Sequence, residues 1–138
     1  MVSLDDVARM AAALPEVVEI DRHGNRAWAV AGATQRGGAK VFAWERPFSK
    51  ADIRRYGDEP PPDGPILAIR VADLHEKEAV LADETDGFFT IPHFDGYAAV
   101  LVQLNEVAEA ALREAVLDGW LACAPPDLAD RYRATGSS

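Results

Sequence analysis

The stretch Phe88-Phe89-Thr90-Ile91-Pro92-His93-Phe94-Asp95-Gly96-Tyr97, followed by the apolar run Ala98–Leu104, decides how this chain folds. Pro92 and Gly96 interrupt regular structure on either side of His93. The run after them is rich in valine and leucine and reads as a strand. A cluster of aromatics ahead of a strand either fills a core or faces a ligand, so fold and function meet here.

Working back from it, Ile66–Val71 is a second continuous apolar run, broken by Arg70, and suits a central strand. Val17–Ile20, Ala27–Ala31 and Lys40–Trp44 read as three more strands. The turn residues between them favour an antiparallel meander. In the third, alternation puts Lys40, Phe42 and Trp44 on one face and Val41 and Ala43 on the other.

Helices lie around these strands. Ser3 with Asp6 forms a capping-box pair ahead of Val7, Met10, Ala11 and Leu14, which predicts a helix over 4–14. Ser49 with Asp52 starts a short helix that Gly57 stops. There Lys50, Arg54 and Arg55 are expected to be exposed, with Ile53 and Tyr56 turned inward. Asp73, with Glu76 as its capping-box partner, starts a helix to about Ala82. Asn105 is expected to cap a long helix through about Leu117, along which Ala108, Leu112, Val116 and Trp120 repeat every fourth residue. Leu128–Tyr132 closes the pattern. The whole predicts an α+β fold: one antiparallel β-sheet of about five strands with helices packed on one face. A single domain over 1–134 with a frayed tail at 135–138 fits the 138-residue length.

Composition narrows the function. The net charge of -9 opposes general phosphate binding. The charge is uneven, however: residues 22–55 hold Arg22, Arg26, Arg36, Lys40, Arg46, Lys50, Arg54 and Arg55 against only Glu45 and Asp52. A basic block of this kind suits an anionic partner. The single cysteine, Cys123, cannot form an internal disulfide, and the acidic N-terminus lacks the pattern of a signal peptide. A cytoplasmic protein is expected, with no membrane partner. His23, His75 and His93 lack metal-ligand spacing, and no phosphate-binding glycine loop opens a helix, so no metal or cofactor is expected. His93 and Asp95 have no accompanying nucleophile.

Four stretches together resemble the MmcQ/YjbR family: Leu14-Pro15-Glu16, Lys40-Val41-Phe42-Ala43, the Phe88–Tyr97 motif with its following strand, and Asp118-Gly119-Trp120-Leu121-Ala122 ahead of Ala124-Pro125. The resemblance spans nearly the whole chain in order. It implies a CyaY-like fold and a double-wing DNA-binding protein.

The expectation is therefore a small non-enzymatic binding module, with DNA approached through the basic 22–55 segment. Lys40, Arg46, Lys50, Arg54 and Arg55 would contact phosphate, and Trp44, His93 and Tyr97 would be the exposed readers. The alternative is a pocket for a small anionic ligand or protein partner around His93 and Tyr97. An enzyme using His93 and Asp95 ranks behind both.

Overall fold

Two residues at the tip of the first hairpin set the sheet's beginning. His23 (φ 56°) and Gly24 (φ 82°) are both left-handed, the geometry of a two-residue turn whose twist matches its strands. The Asp21 carboxylate accepts a hydrogen bond from the Gly24 N–H at 3.0 Å. The hairpin joins β1 (Val17–Arg22) to β2 (Asn25–Val30), and β3 (Lys40–Glu45), β4 (Ile66–Arg70), β5 (Phe88–Phe89) and β6 (Ala99–Gln103) complete the sheet. The structure is a computed structural model and describes residues 2–136. All pairings are antiparallel, in the order β1-β2-β3-β4-β6-β5. The expected α+β architecture is thus present, with one strand more than the pattern indicated. β5 is only Phe88 and Phe89, paired with Val102 and Leu101. Two residues show no readable alternation, which is why this strand was not anticipated.

The helices are α1 (Leu4–Ala12), α2 (Lys50–Arg54), α3 (Leu74–Ala82), α4 (Glu109–Cys123) and α5 (Pro126–Gly136). Ser3 and Asp6 cap α1 reciprocally, and Val7, Met10 and Ala11 are its buried face. α1 stops two residues short of Leu14, whose N–H closes a tight turn onto the Ala11 carbonyl at 3.0 Å ahead of Pro15. α4 begins four residues later than Asn105. Glu106 and Val107 both donate to the Gln103 carbonyl, making a turn, and Ala108 takes the cap position without a side-chain bond. Asn105 instead lies against Gly64, where a Cβ would come within 2.1 Å of its carboxamide nitrogen. The helix runs past Leu117 to Cys123, because Pro125 is the first residue that opposes it. Leu112, Val116 and Trp120 are buried as their spacing predicts, while Ala108 is exposed. α5 is longer than the expected 128–132 and continues through part of the expected tail. Ser137 and Ser138 of that tail lie outside the described residues.

α1, α4 and α5 cover one face of the sheet. Trp28, Val30, Phe42, Leu67, Ile69 and Val102 form the sheet side of that core. Two glycines set close approaches there. At Gly119 in α4, an added Cβ would stand 2.8 Å from Ile69 Cγ2 and 3.1 Å from the Arg70 carbonyl, so the helix lies directly on β4. Gly87 is left-handed (φ 92°), and a Cβ there would meet the Val107 backbone nitrogen at 2.9 Å. Gly87→Ala is expected to lose about 2 kcal/mol in urea unfolding, from backbone strain plus this clash. A loss below about 0.5 kcal/mol would show that the 103–107 turn yields freely.

The second face holds a smaller core of Ile66, Ala68, Ile91, Phe94, Ala99 and Leu101, with Trp44, Phe48 and Phe89 packed against it. A 3-10 turn (Pro92–Phe94) and the Phe48–Tyr56 segment cover this core. Here the expected alternation of β3 fails. Register shifts between Trp28 and Ala29, which pair with Ala43 and Val41 and leave Phe42 as an inserted residue. Phe42 and Ala43 therefore both face the helices, and Trp44 emerges on the opposite face. A bulge re-aims the side chains beyond it, and in β3 it separates Phe42 from Trp44.

Candidate nucleic-acid interface

Trp44 is the centre of the second face. It is half-buried, its ring 6.4 Å from Phe94 and 6.3 Å from Tyr97. Phe94 and Tyr97 meet edge to face at 5.6 Å. Phe94 is buried, whereas Tyr97 stays 37% exposed. Cations surround this trio. The Arg22 guanidinium lies 5.8 Å from the Trp44 ring centre, Arg46 5.6 Å from Phe94, and Arg70 5.5 Å from Tyr97. Each contact lends cation–π attraction of about 0.5–1 kcal/mol at such half-exposed sites.

The loop that presents Phe94 and Tyr97 is anchored from beneath. Lys77 of α3 is buried, and its Nζ donates to the Phe94 carbonyl at 2.5 Å and the Tyr97 carbonyl at 2.9 Å. Burial draws its pKa below the usual lysine value, and Asp95 pulls the other way. Arg70 Nε donates to the Val41 carbonyl at 2.8 Å and so ties β4 to the bulged strand.

α2 borders the same face. Ser49 and Asp52 form the predicted capping box, but the buried residue of the helix is Asp52, not Ile53. Ile53 is 47% exposed, contrary to expectation. A five-residue helix offers one inward position, and the Asp52 carboxylate takes it by meeting Arg46 Nη2 at 3.1 Å and the Ser49 N–H at 2.9 Å. Tyr56 does turn inward, onto Phe48 at 6.0 Å. Lys50, Arg54 and Arg55 are exposed.

Two shallow clefts flank the aromatic trio. One, of about 220 Å³, is lined by Arg22, His23, Asn25, Trp44, Glu45, Arg46 and Pro47. The other, about 180 Å³, is lined by Asp52, Arg55, Tyr56, Thr90, Ile91 and Pro92. His93, next to Pro92, is exposed, with its ring 6.1 Å from Phe94. The fold thus gathers Trp44, Arg46, Arg55, His93 and Tyr97, with Lys50 and Arg54 on the adjoining helix. It sets Lys40 apart: that residue opens β3 opposite Val30, close enough to Cys123 to oppose the burial that raises the thiol's pKa. Arg26 also leaves the basic group. It is held on the helix-covered side by Glu19 at 2.8 and 3.0 Å and by Asp5 at 2.8 Å.

Sequence reasoning missed Arg22 and Arg70 as members of the site, and Lys77 as its support. Arg70 carried a signal, since it alone breaks an apolar strand. Arg22 offered only its place beside a turn. Lys77 gave none, because a lysine on a short acidic helix reads as solvated.

These features define a class: an α+β protein with an open six-stranded antiparallel sheet, helices on one face, and an arginine-ringed aromatic cluster on the other. The chain is 42% identical over 137 residues to Uncharacterized protein Rv2570 of Mycobacterium tuberculosis (strain ATCC 25618 / H37Rv), covering 97% of this chain and 98% of that protein. It matches Uncharacterized protein Mb2600 of Mycobacterium bovis to the same extent. The chain belongs to the family these mycobacterial proteins represent. No family model matches the chain. No solved structure matches it either.

Proposed function

We propose that this protein is a small non-enzymatic module that binds nucleic acid, DNA in the first instance, through the Trp44 face. The observation that carries the reading is the half-exposed Trp44–Tyr97 pair with Arg22 over the indole and the cations of α2 alongside. Aromatic faces stack on bases, and guanidinium and ammonium groups neutralise phosphates. An acidic helical side keeps the contact one-sided, since it repels phosphate elsewhere. Likeness to the MmcQ/YjbR proteins at the Pro92-His93 turn and at Gly119-Trp120 supports the same reading, as does their double-wing DNA-binding designation. A cytoplasmic setting belongs to the proposal and suits the lone buried thiol of Cys123. Among the described residues, no helix is long and apolar enough to cross a membrane.

The test is a salt titration of binding to a short labelled duplex and to the matching single strand. Each phosphate contact on the duplex contributes a slope of about 0.9 in log affinity against log salt. Arg54→Glu/Arg55→Glu should lower affinity at least tenfold and flatten the slope by about 2. Trp44→Ala should weaken the single strand by about 1–3 kcal/mol, the worth of one stacked base. Absence of binding to either strand form at low salt, or a double mutant that binds like the parent, would remove the proposal.

A second reading has one observation in its favour. The cleft lined by Arg22, His23 and Arg46 would seat a small anion, at a place beside the pocket expected around His93 and Tyr97, neither of which lines it. Binding of inorganic phosphate that survives Arg54→Glu/Arg55→Glu but is lost in Arg22→Ala would favour this alternative.

A further inference from the structure

A concavity of about 440 Å³ lies on the other side of the sheet, between α3, α4, α5 and the strands. Its floor is apolar: Ile69 and Val100 from the sheet, Phe88 from β5, Val80 from α3 and Leu121 from α4. α4 turns the small side chains of Ala111, Ala115 and Ala122 toward it, which leaves room beside the helix. The rim is different. Glu76, Asp83, Glu114 and Asp118 line it, with Arg133 as its one cation. Arg133 stands 3.7 Å from Asp130 of its own helix, so part of its charge is already answered.

We infer that this concavity binds a small organic amine, a protonated nitrogen carried on an apolar or aromatic body. Its size is that of a site for a small molecule, and its chemistry divides as such a ligand divides. The apolar body would lie against Val80, Phe88 and Leu121, which are partly exposed, and the ammonium would meet the carboxylates at the mouth. An anionic ligand would face four like charges, and a purely apolar one would leave them unanswered. The acidic groups act on one another: Asp118 has its carboxyl pKa raised by burial first, then by Glu114 and Glu76. A cation seated among them would relieve that repulsion. This inference is independent of the Trp44 face, which lies across the sheet.

The motif at the end of α4 gains a rationale. Gly119 brings the helix onto β4 and Trp120 fills the core beneath it, while Asp118 and Leu121 are set at the cavity.

Calorimetric titration with 2-(1-naphthyl)ethylamine tests it, beside the neutral 2-(1-naphthyl)ethanol and the anionic 1-naphthylacetate. The amine is expected to bind at least tenfold more tightly than the alcohol, with the acetate weakest. Asp118→Asn and Glu76→Gln, both at the rim, should erase most of the amine's advantage without altering cooperative unfolding. Ala115→Phe should fill the space and abolish binding. Equal affinity for amine and alcohol, an undiminished preference in Asp118→Asn/Glu76→Gln, or no binding of the amine at 1 mM (about -4.1 kcal/mol in affinity) would overturn the inference.

Discussion

Trp120→Ala is expected to remove about 3–5 kcal/mol of folding stability, the range for truncating a fully buried tryptophan. Trp120 has no exposed surface and sits in the larger core. Its indole N–H donates to the Pro15 carbonyl at 3.0 Å, and its ring lies 5.1 Å from Tyr132. One side chain thus joins α4, α5 and the bend after α1. Truncation opens a cavity that Gly119, pressed against Ile69 on the neighbouring position, cannot close by drawing the helix nearer. It also leaves the Pro15 carbonyl without this donor. Trp120→Phe keeps most of the volume and loses the N–H, so it should cost roughly 1–2 kcal/mol. Urea unfolding distinguishes them: both midpoints should fall, with slopes unchanged. Equal losses in the two variants would assign the effect to the hydrogen bond alone. A loss below about 1 kcal/mol for alanine would mean that α4 is not anchored here.

The same residues show what a sequence can and cannot disclose. Helix periodicity put Leu112, Val116 and Trp120 inside correctly, because burial along a helix follows the chain's own 3.6-residue repeat. Capping boxes at Ser3 and Ser49 were legible for the same reason: both partners sit three residues apart. The errors came where non-local contacts decide. Nothing in Lys40–Glu45 announces that Phe42 will be inserted into the pairing with β2, yet that insertion sends Trp44 to the far face and creates the aromatic cluster. Ile53 was expected inside on hydrophobicity, but Arg46 from β3's end claims the inward position for Asp52. The basic block likewise was legible as a block and not as a surface. Folding sends Arg26 and Lys40 to the helix-covered side while Arg22 and Arg46 join Trp44, and it recruits Arg70 from outside the block. A one-residue change of register flips every side chain that follows, so this division could not be read from charge spacing.

Asp52→Asn is expected to pull stability and nucleic-acid binding in opposite directions. The Asp52 side chain is buried, within 3.1 Å of Arg46, 3.8 Å of Arg55 and 2.9 Å of the Ser49 N–H. Removing its charge leaves Arg46, only 19% exposed, without its partner and weakens the cap of α2. Breaking a buried pair costs about 3–5 kcal/mol, and the partial exposure of Arg46 places this case near the lower end. Acid should reveal the same group. Burial by itself would raise the Asp52 pKa, but the Ser49 hydrogen bonds and Arg46 outweigh it and hold the carboxyl below its ordinary value of 3.8. A depressed carboxyl pKa contributes stability that is complete above the unfolded value and is lost as pH falls through the folded one. The parent protein should therefore lose stability below about pH 4 more steeply than Asp52→Asn does. Parallel acid profiles would exclude a stabilising role for this carboxylate. For binding at pH 7 the sign reverses. The variant unmasks Arg46 on the proposed phosphate-contacting face, so duplex affinity should rise a few-fold and the salt slope should steepen by about 0.9. Affinity that fell along with stability would mean that α2 must hold its shape for the cations to act, and that Asp52 serves the site as well as the fold.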